Sequence, residues 1–293
     1  MSDTSVESSA RPVQSRVNAL SVDVEDYFQV SAFENIVDRS MWEELESRVE
    51  KNTESILELF DMAGVAGTFF CLGWVADKFP SLLRRISELG HEVASHGFSH
   101  TRVTKQSREE FRQDVRRTKA LLEDITGREV VGYRAASFSI AQDNDWAHDE
   151  LAAAGHRYSS STYPIRHDRY GAADLPRFPY RRGQAGLIEL PVTPLEFAGA
   201  RFPCAGGGYF RLLPYSYTRW AINRVNGSDG RPVIFYFHPW ELDPGQPRLS
   251  GADRLSRFRH YVNLGGVGKK LTRLLADFHW NTVANVYSKD LAS

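Results

Sequence analysis

The chain has few of the features that mark specialised classes of protein. It contains only two cysteines in 293 residues, Cys71 and Cys204, and neither lies in a metal-type spacing, so a disulfide framework is not expected. Its 36 basic and 37 acidic residues give a formal net charge of −1, so no overall field attracts nucleic acid or an anionic membrane. No segment approaches the roughly 18 consecutive apolar residues that span a bilayer. The composition indicates an ordinary globular protein.

The amino terminus also lacks the apolar core of a signal peptide. Residues 1–17 are polar and are predicted to form a flexible tail, which favours a cytoplasmic location. Neither an internal repeat nor a change of composition divides the rest of the chain. We therefore expect one domain over residues 18–293.

Strand and helix patterns alternate along this domain. Apolar or β-branched runs predict strands at 19–24, 67–73, 91–95, 130–135, 156–161, 187–192, 233–237 and 282–288. Helical periodicity lies between most of them, with Gly64 and Gly127 as helix ends and Ser107 with Glu110 as a capping box. Residues 162–186 and 196–211, rich in Pro, Gly, Arg and Tyr, are predicted to be long loops. The alternation predicts a parallel α/β sheet, either a barrel or a doubly wound sheet, with chemistry at the carboxyl ends of its strands.

Acidic residues follow the first predicted strand. In SVDVEDYF, alternation sends Asp23 and Glu25 to one face of the strand, and Asp26 follows directly. An acidic loop that caps the next helix is the structural alternative. Two carboxylates at one strand end nevertheless favour a catalytic or metal-binding role.

Histidines are concentrated after the third predicted strand. His96 and His100 in HGFSH are four residues apart, which on a helical turn brings both imidazoles to one side. With a carboxylate from a neighbouring strand end they would form a His-His-carboxylate set that suits zinc or another divalent transition metal. An HxxxH pattern alone is more often solvated surface. The prediction therefore depends on the first and third strands ending at the same edge of the sheet.

Two other strands end in a strongly polar residue. Arg134 closes VVGYR and His238 closes VIFYFH. Taken singly, Arg134 could be a structural ion-pair partner and His238 a satisfied core histidine. Their position at strand ends makes both candidate members of the same site.

Together these motifs resemble a known family. The order DVED, HGFSH, GYRAASFS and FYFH resembles the NodB-type polysaccharide deacetylases, carbohydrate esterase family 4. The segments SVDVEDYFQVSAFE, GGGYFRLLP and YFHPWELD are similar to a branch associated with exopolysaccharide loci and exosortase systems. The resemblance implies a distorted (β/α)7 barrel that removes acetyl groups from N-acetylated sugars.

The resemblance also implies roles for individual residues. Asp23 matches the catalytic base, His238 the general acid and Arg134 the arginine that orients the base. His96 and His100 match metal ligands. Since Val24 replaces the second aspartate of the usual motif, the third ligand is Glu25 or Asp26, and Glu25 is favoured because it shares the face of Asp23.

The expected cofactor is a divalent metal, with zinc first and cobalt, nickel or manganese as alternatives. The expected partner is an acetylated glycan or a lipid-linked oligosaccharide, with peripheral association with polysaccharide assembly machinery and no nucleic acid. Two positions depart from the family pattern: Ser159 stands where the branch has aspartate, and Ala136 stands where proline is expected. Two other functions stay open, namely hydrolysis of a small non-sugar amide such as a ureide or cyclic imide, and catalytically silent carbohydrate binding.

Overall fold

The computed structural model of the protein describes residues 16–167 and 171–292. The predicted amino-terminal tail lies outside the described residues except for Arg16 and Val17. Val17 already belongs to the first strand.

The strands form one large curled sheet and one small hairpin. In chain order the described strands are β1 (Val17–Val24), β2 (Thr68–Cys71), β3 (Glu92–Ser95), β4 (Gly132–Tyr133), β5 (Tyr158–Ser159), β6 (Tyr180–Arg182), β7 (Leu187–Glu189), β8 (Pro194–Phe197), β9 (Ala200–Pro203), β10 (Ile234–Phe237) and β11 (His279–Asn281). Seven of them pair in parallel in the order β10, β1, β2, β3, β4, β5, β7. Strand β6 joins β7 antiparallel, β11 pairs with β1, and β8 pairs with β9 in a separate sheet.

The two ends of the parallel sheet approach each other without pairing directly. Gly206 forms an isolated bridge to Tyr236 of β10, and the Ile234 amide donates to Thr193 Oγ1 at 3.0 Å. These contacts cross the seam between β7 and β10. The prediction of a distorted (β/α)7 barrel is confirmed.

The helices pack around this sheet. The described α-helices are α1 (Val49–Ala63), α2 (Gly73–Lys78), α3 (Pro80–Glu88), α4 (Arg108–Thr126), α5 (Trp146–Ala153), α6 (Gly207–Leu212), α7 (Tyr215–Arg224), α8 (Arg254–Tyr261), α9 (Leu264–Asp277), α10 (Val283–Val286) and α11 (Ser288–Ala292). Left-handed Gly64 and Gly127 end α1 and α4, and Ser107 with Glu110 forms the predicted capping box. Among the described residues, no helix is long and apolar enough to cross a membrane.

Three predicted elements are wrong in detail. The last strand is β11 at His279–Asn281, whereas the predicted strand at 282–288 is mainly helical. The Thr282 hydroxyl accepts a hydrogen bond from the Asn285 amide and so caps α10. The predicted loop 162–186 contains β6, and the predicted loop 196–211 contains β9, parts of β8 and most of α6. These elements are short, so their side chains carry little periodic signal.

The core lies between the sheet and its helices, with a second cluster beside the carboxyl ends of the strands. In the main core, Ile56 and Phe60 of α1 and Leu271 of α9 belong to one buried cluster with the β1 residues Leu20 and Val22. The second cluster consists of residues after β1 and after β10, namely Tyr27, Phe28, Val30, Phe33, Val37, Trp42, Trp240 and Leu264. It supports the loops that carry the polar strand-end residues.

Candidate active site

A cavity of about 350 Å³ opens at the carboxyl ends of the strands. Its polar lining includes five predicted site residues, Asp23, Glu25, His96, His100 and His238. Val22 and Val24, on the other face of β1, lie in the main core. Asp23 near the end of β1 and Glu25 just after the strand therefore both line the cavity, on the same side as predicted.

Arg134 lies behind the cavity and anchors Asp23. Its guanidinium is fully buried, stacks on the Phe70 ring at 4.0 Å and donates to Asp23 Oδ1 at 2.6 Å. It also donates to the Ser21 hydroxyl and to both the hydroxyl and the carbonyl of Ser160. Since one oxygen of Asp23 is held in this way, the other is directed toward the cavity.

Glu25, His96 and His100 form a cluster with the character of a metal site. One ligand atom from each lies within 4.8 Å of the others, and all three residues are buried. The Glu25 Oε2 atom is buried and lies 2.9 Å from His100 Nε2. His96 Nδ1 contacts the Arg134 carbonyl at 2.8 Å, which leaves Nε2 as the ligand atom. Two imidazoles and a carboxylate suit zinc or a similar ion with an open position, so these residues fit a divalent metal.

The electrostatics of this cluster are consistent with such a role. Burial alone would raise the pKa of Glu25, but the imidazoles of His100, His238 and His96 outweigh burial and lower that pKa to about 2. Burial lowers the pKa of His96 to about 4. A carboxylate and a neutral imidazole are the protonation states that bind a cation.

The histidine loop is not helical, contrary to the prediction. It turns at Gly97, whose φ of 73° is left-handed and where a Cβ atom would meet Asp114 Oδ2 at 2.9 Å. The Phe98 amide donates to the Asp114 carboxylate at 3.1 Å, and the Gly73 amide at the start of α2 donates to the Gly97 carbonyl. The imidazole rings of His96 and His100 nevertheless lie 5.3 Å apart. The Gly97 turn, held by Asp114, therefore brings the two imidazoles together in place of the predicted helical turn.

Asp26 lies outside the metal-type cluster. Its Oδ2 atom accepts hydrogen bonds from the Ser47 hydroxyl and from the amides of Arg48 and Val49 at the start of α1, and its Oδ1 accepts from the Tyr27 amide. Burial raises the pKa of Asp26, and these hydrogen bonds oppose that rise. For Asp26 the geometry therefore matches the structural alternative, a carboxylate that caps the next helix.

His238 is held by a buried ion pair that the sequence analysis missed. Its Nδ1 lies 2.7 Å from Glu241 Oε1, and Glu241 Oε2 lies 2.8 Å from Arg211 Nε. Burial alone would lower the pKa of His238, but Glu241, Glu25 and Asp23 raise it above its usual value. His238 Nε2 faces the cavity, 4.0 Å from Asp23 Oδ2. The i, i+3 spacing of histidine and glutamate in HPWE is the signal that would have found Glu241.

Trp240 contacts both His238 and the metal-type cluster. Its ring stacks on His238 at 5.1 Å and on His260 at 4.1 Å, and its indole N–H donates to Glu25 Oε1 at 3.3 Å. The indole therefore contacts both His238 and Glu25, the carboxylate of the metal-type cluster.

The two departures from the family pattern lie next to these residues. Ser159 is buried and its hydroxyl bonds to Ser161, while Ser160 supplies the oxygens that accept from Arg134. Ala136 begins a 3₁₀ turn in which Ser137 and Phe138 both have left-handed φ values, 53° and 49°. With these residues in place, Arg134 still donates to Asp23.

Two family models match successive segments of the chain. The polysaccharide deacetylase family matches residues 38–159, and a domain of unknown function, DUF3473, matches residues 160–288. The chain is 35% identical to a peptidoglycan-N-acetylglucosamine deacetylase of Bacillus cereus over 26% of this chain and 27% of that protein. It is 36% identical to a peptidoglycan-N-acetylglucosamine deacetylase of Listeria monocytogenes over 26% of this chain and 16% of that protein. The aligned region thus spans about a quarter or less of these relatives.

The fold comparison covers nearly the whole chain. A crystal structure of a Mycobacterium smegmatis protein assigned as a polysaccharide deacetylase aligns with a TM-score of 0.60 and 20% identity, over 94% of this chain and 91% of that one. The similarity in fold therefore extends through both matched segments. Residues 38–159 of the chain therefore match the polysaccharide deacetylase family, and nearly the whole chain shares its fold with the solved structure assigned to that family.

Proposed function

We propose that the protein is a metal-dependent hydrolase that removes acetyl groups from the N-acetylated sugars of a polysaccharide or its lipid-linked precursor. The observation that carries this proposal is the convergence of three groups in one cavity. These are a carboxylate fixed by a buried arginine, a histidine fixed by a buried carboxylate, and a His-His-Glu cluster beside them. Amide hydrolysis needs a base, an acid and an electrophile in this arrangement.

Glu25, His96 and His100 hold the metal in this proposal, with zinc first and cobalt, nickel or manganese as alternatives. A divalent ion supplies Lewis acidity toward a carbonyl and lowers the pKa of water. Asp26 is not included, because its carboxylate is occupied by the start of α1.

Asp23 acts as the base and His238 as the acid. Asp23 Oδ1 is held by Arg134, so Oδ2 takes the proton of the attacking water. His238 Nε2 gives a proton to the departing sugar nitrogen, and Glu241 at Nδ1 stabilises the protonated imidazole that this step requires. Arg134 acts through Asp23 and is a positioning residue.

Both matched segments contribute to the proposed machinery. His238, Glu241 and Arg211 lie in the DUF3473 segment, whereas His96 and His100 lie in the deacetylase segment. Strand β10 of the second segment pairs with β1. These contacts support a single catalytic domain over residues 18–293.

Release of acetate tests the proposal. The purified protein is loaded in turn with zinc, cobalt, nickel and manganese and incubated with N-acetylated chitooligosaccharides. We expect Asp23→Asn and His238→Ala to retain bound metal and to lose about 10²- to 10⁴-fold in kcat, because each lacks one proton-transfer group. The exposed substitutions Asp124→Asn and His279→Ala are matched controls.

The other outcomes point to other functions. Glycan binding with no acetate released by any metal form would favour a silent binding protein. Hydrolysis of ureides or cyclic imides without action on acetylated sugars would favour the small-amide hydrolase. Membership of the exopolysaccharide branch and a cytoplasmic location stay predictions. A periplasmic reporter fused to the chain tests the second.

A further inference from the structure

The outer part of the active-site cavity is lined by exposed apolar side chains. Leu212, Leu255 and Phe258 have exposed fractions of 48%, 50% and 55%, and all three line the cavity that contains Asp23 and His238. Exposed large hydrophobic side chains are common singly, but three around one opening form a surface that gains from being covered.

Helix α8 provides most of this surface. Leu255, Phe258 and Arg259 line the cavity, as does Val262 just after the helix, and this spacing of i, i+3, i+4 and i+7 defines one helical face. Ser256 and His260 are buried, and the ring of His260, which also lines the cavity, stacks on Trp240 at 4.1 Å. The helix is therefore anchored on one side, and its apolar stripe forms the rim of the active site on the other.

Apart from Phe258, the apolar side chains of this rim do not suit a sugar ring. Sugars are recognised by hydrogen-bonding groups and by the flat faces of aromatic rings, whereas Val30, Leu212, Leu255 and Val262 offer neither. An aliphatic surface gains free energy by removing apolar ligand area from water. The rim therefore suits a part of the substrate that is not carbohydrate.

The charge on α8 indicates how that part is joined to the sugar. The helix carries Arg254, Arg257 and Arg259 and no acidic residue, while the preceding Asp253 carboxylate accepts from the Leu255 and Ser256 amides as the cap. Arg259 lines the cavity, whereas Arg254 and Arg257 are exposed beside it and form no ion pair with an acid in the described part of the chain. A positive helix beside an apolar rim favours an anionic group next to an apolar chain.

We propose, on the basis of the proposed deacetylase function, that the preferred substrate is an amphiphile in which an acetylated sugar is joined to an apolar chain through an anionic phosphate. The sugar lies against Asp23 and His238. The apolar chain leaves the cavity over Leu212, Leu255 and Phe258.

Three probes of increasing resemblance to this substrate test the proposal with the metal-loaded protein. They are N,N′-diacetylchitobiose, its octyl glycoside and its 1-(octyl phosphate). Since burial of each methylene strengthens binding about fourfold, we expect attachment of the octyl chain to raise kcat/KM at least about tenfold. The phosphate link should raise it further. Calorimetric binding of the same probes provides a readout that is independent of turnover.

Two pairs of variants assign the effect to α8. The double variant Leu255→Ser with Phe258→Ser should have the same kcat/KM for the octyl glycoside as for the free sugar. The control double variant Leu89→Ser with Phe202→Ser, at two similarly exposed positions, should keep the higher kcat/KM for the octyl glycoside. Arg254→Gln with Arg257→Gln should remove the extra preference for the phosphate link. The exposed pair Arg84→Gln with Arg116→Gln is its control.

The outcomes separate this inference from the proposed function. Equal turnover and equal binding of free and octyl sugars would overturn the inference and leave the deacetylase function intact. Tight binding of octyl probes that depends on Leu255 and Phe258, with no acetate released, would support the apolar site and overturn the function. Binding of the parent to phosphatidylglycerol vesicles through these side chains, with no preference among the three probes, would overturn the inference in favour of a membrane surface.

Discussion

The buried pair of Glu241 and Arg211 provides a quantitative test of how the proposed acid is held. Glu241 is fully buried, Arg211 is 4% exposed, and their charged atoms are 2.8 Å apart. Substitution of either partner leaves the other with its main counter-charge removed. We expect Glu241→Gln and Arg211→Met each to lower the free energy of unfolding by about 3–5 kcal/mol.

The double variant should cost much less than the sum of the two single variants. Glu241→Gln combined with Arg211→Met removes both charges, so no buried charge is left without a partner. The coupling free energy should be at least about 2 kcal/mol. Urea denaturation followed by tryptophan fluorescence measures it, because Trp240 stacks on the adjacent His238.

An exposed ion pair of the same length provides the control. Glu43 and Lys78 are also 2.8 Å apart, but Glu43 is largely exposed, so Glu43→Gln with Lys78→Met should show a coupling below about 0.5 kcal/mol. If the Glu241 and Arg211 substitutions were additive, or coupled no more strongly than this surface pair, the ion pair would not hold His238 in the way described.

Further predictions concern the metal, the pH dependence of stability and the strained turn. Elemental analysis should find the metal lost in Glu25→Ala and retained in Asp26→Ala, which should instead lose about 1–2 kcal/mol of stability with its helix cap; equal metal loss in both would contradict the assignment. Burial lowers the pKa of His156 to about 3, whereas an unfolded histidine titrates near 6.5. The contribution of His156 to the free energy of unfolding is therefore complete above pH 6.5 and is lost as the pH falls toward 3. His156→Phe should therefore flatten the dependence of unfolding free energy on pH by about 1.4 kcal/mol per unit between pH 6 and 4, and unchanged slopes in urea titrations would refute this. Ser137→Gly should melt at a higher temperature than Ser137→Ala, because both lack the hydroxyl that contacts Ser31 and only glycine tolerates the left-handed φ of 53°. Equal melting temperatures would contradict strain at this position.

Local patterns in the sequence were sufficient where short-range chemistry determines the structure. The ends of α1 and α4 follow from Gly64, Gly127 and the capping box at Ser107, because these groups act within one helical turn. Alternation predicted a shared side for Asp23 and Glu25, and both line the cavity although Glu25 lies in the turn just after β1. In each case neighbouring residues fix the geometry.

Contacts between distant segments were not predictable in the same way. The histidine loop depends on Asp114 of α4, and His238 depends on Arg211 through Glu241, so neither support is visible as a local period. Asp26 could have been a ligand or a cap on sequence grounds alone. Only the position of the α1 amides distinguishes these two possibilities.

The central place of β1 in the sheet has a consequence for local unfolding. This strand pairs with β2, β10 and β11, and its end carries Asp23 and Glu25. Amide hydrogens in a strand flanked on both sides exchange mainly through global unfolding, whereas rim elements such as α8 open at lower free energy. We therefore expect the two carboxylates to keep their spacing when the rim opens, so that a bulky ligand could enter while this part of the site stays intact.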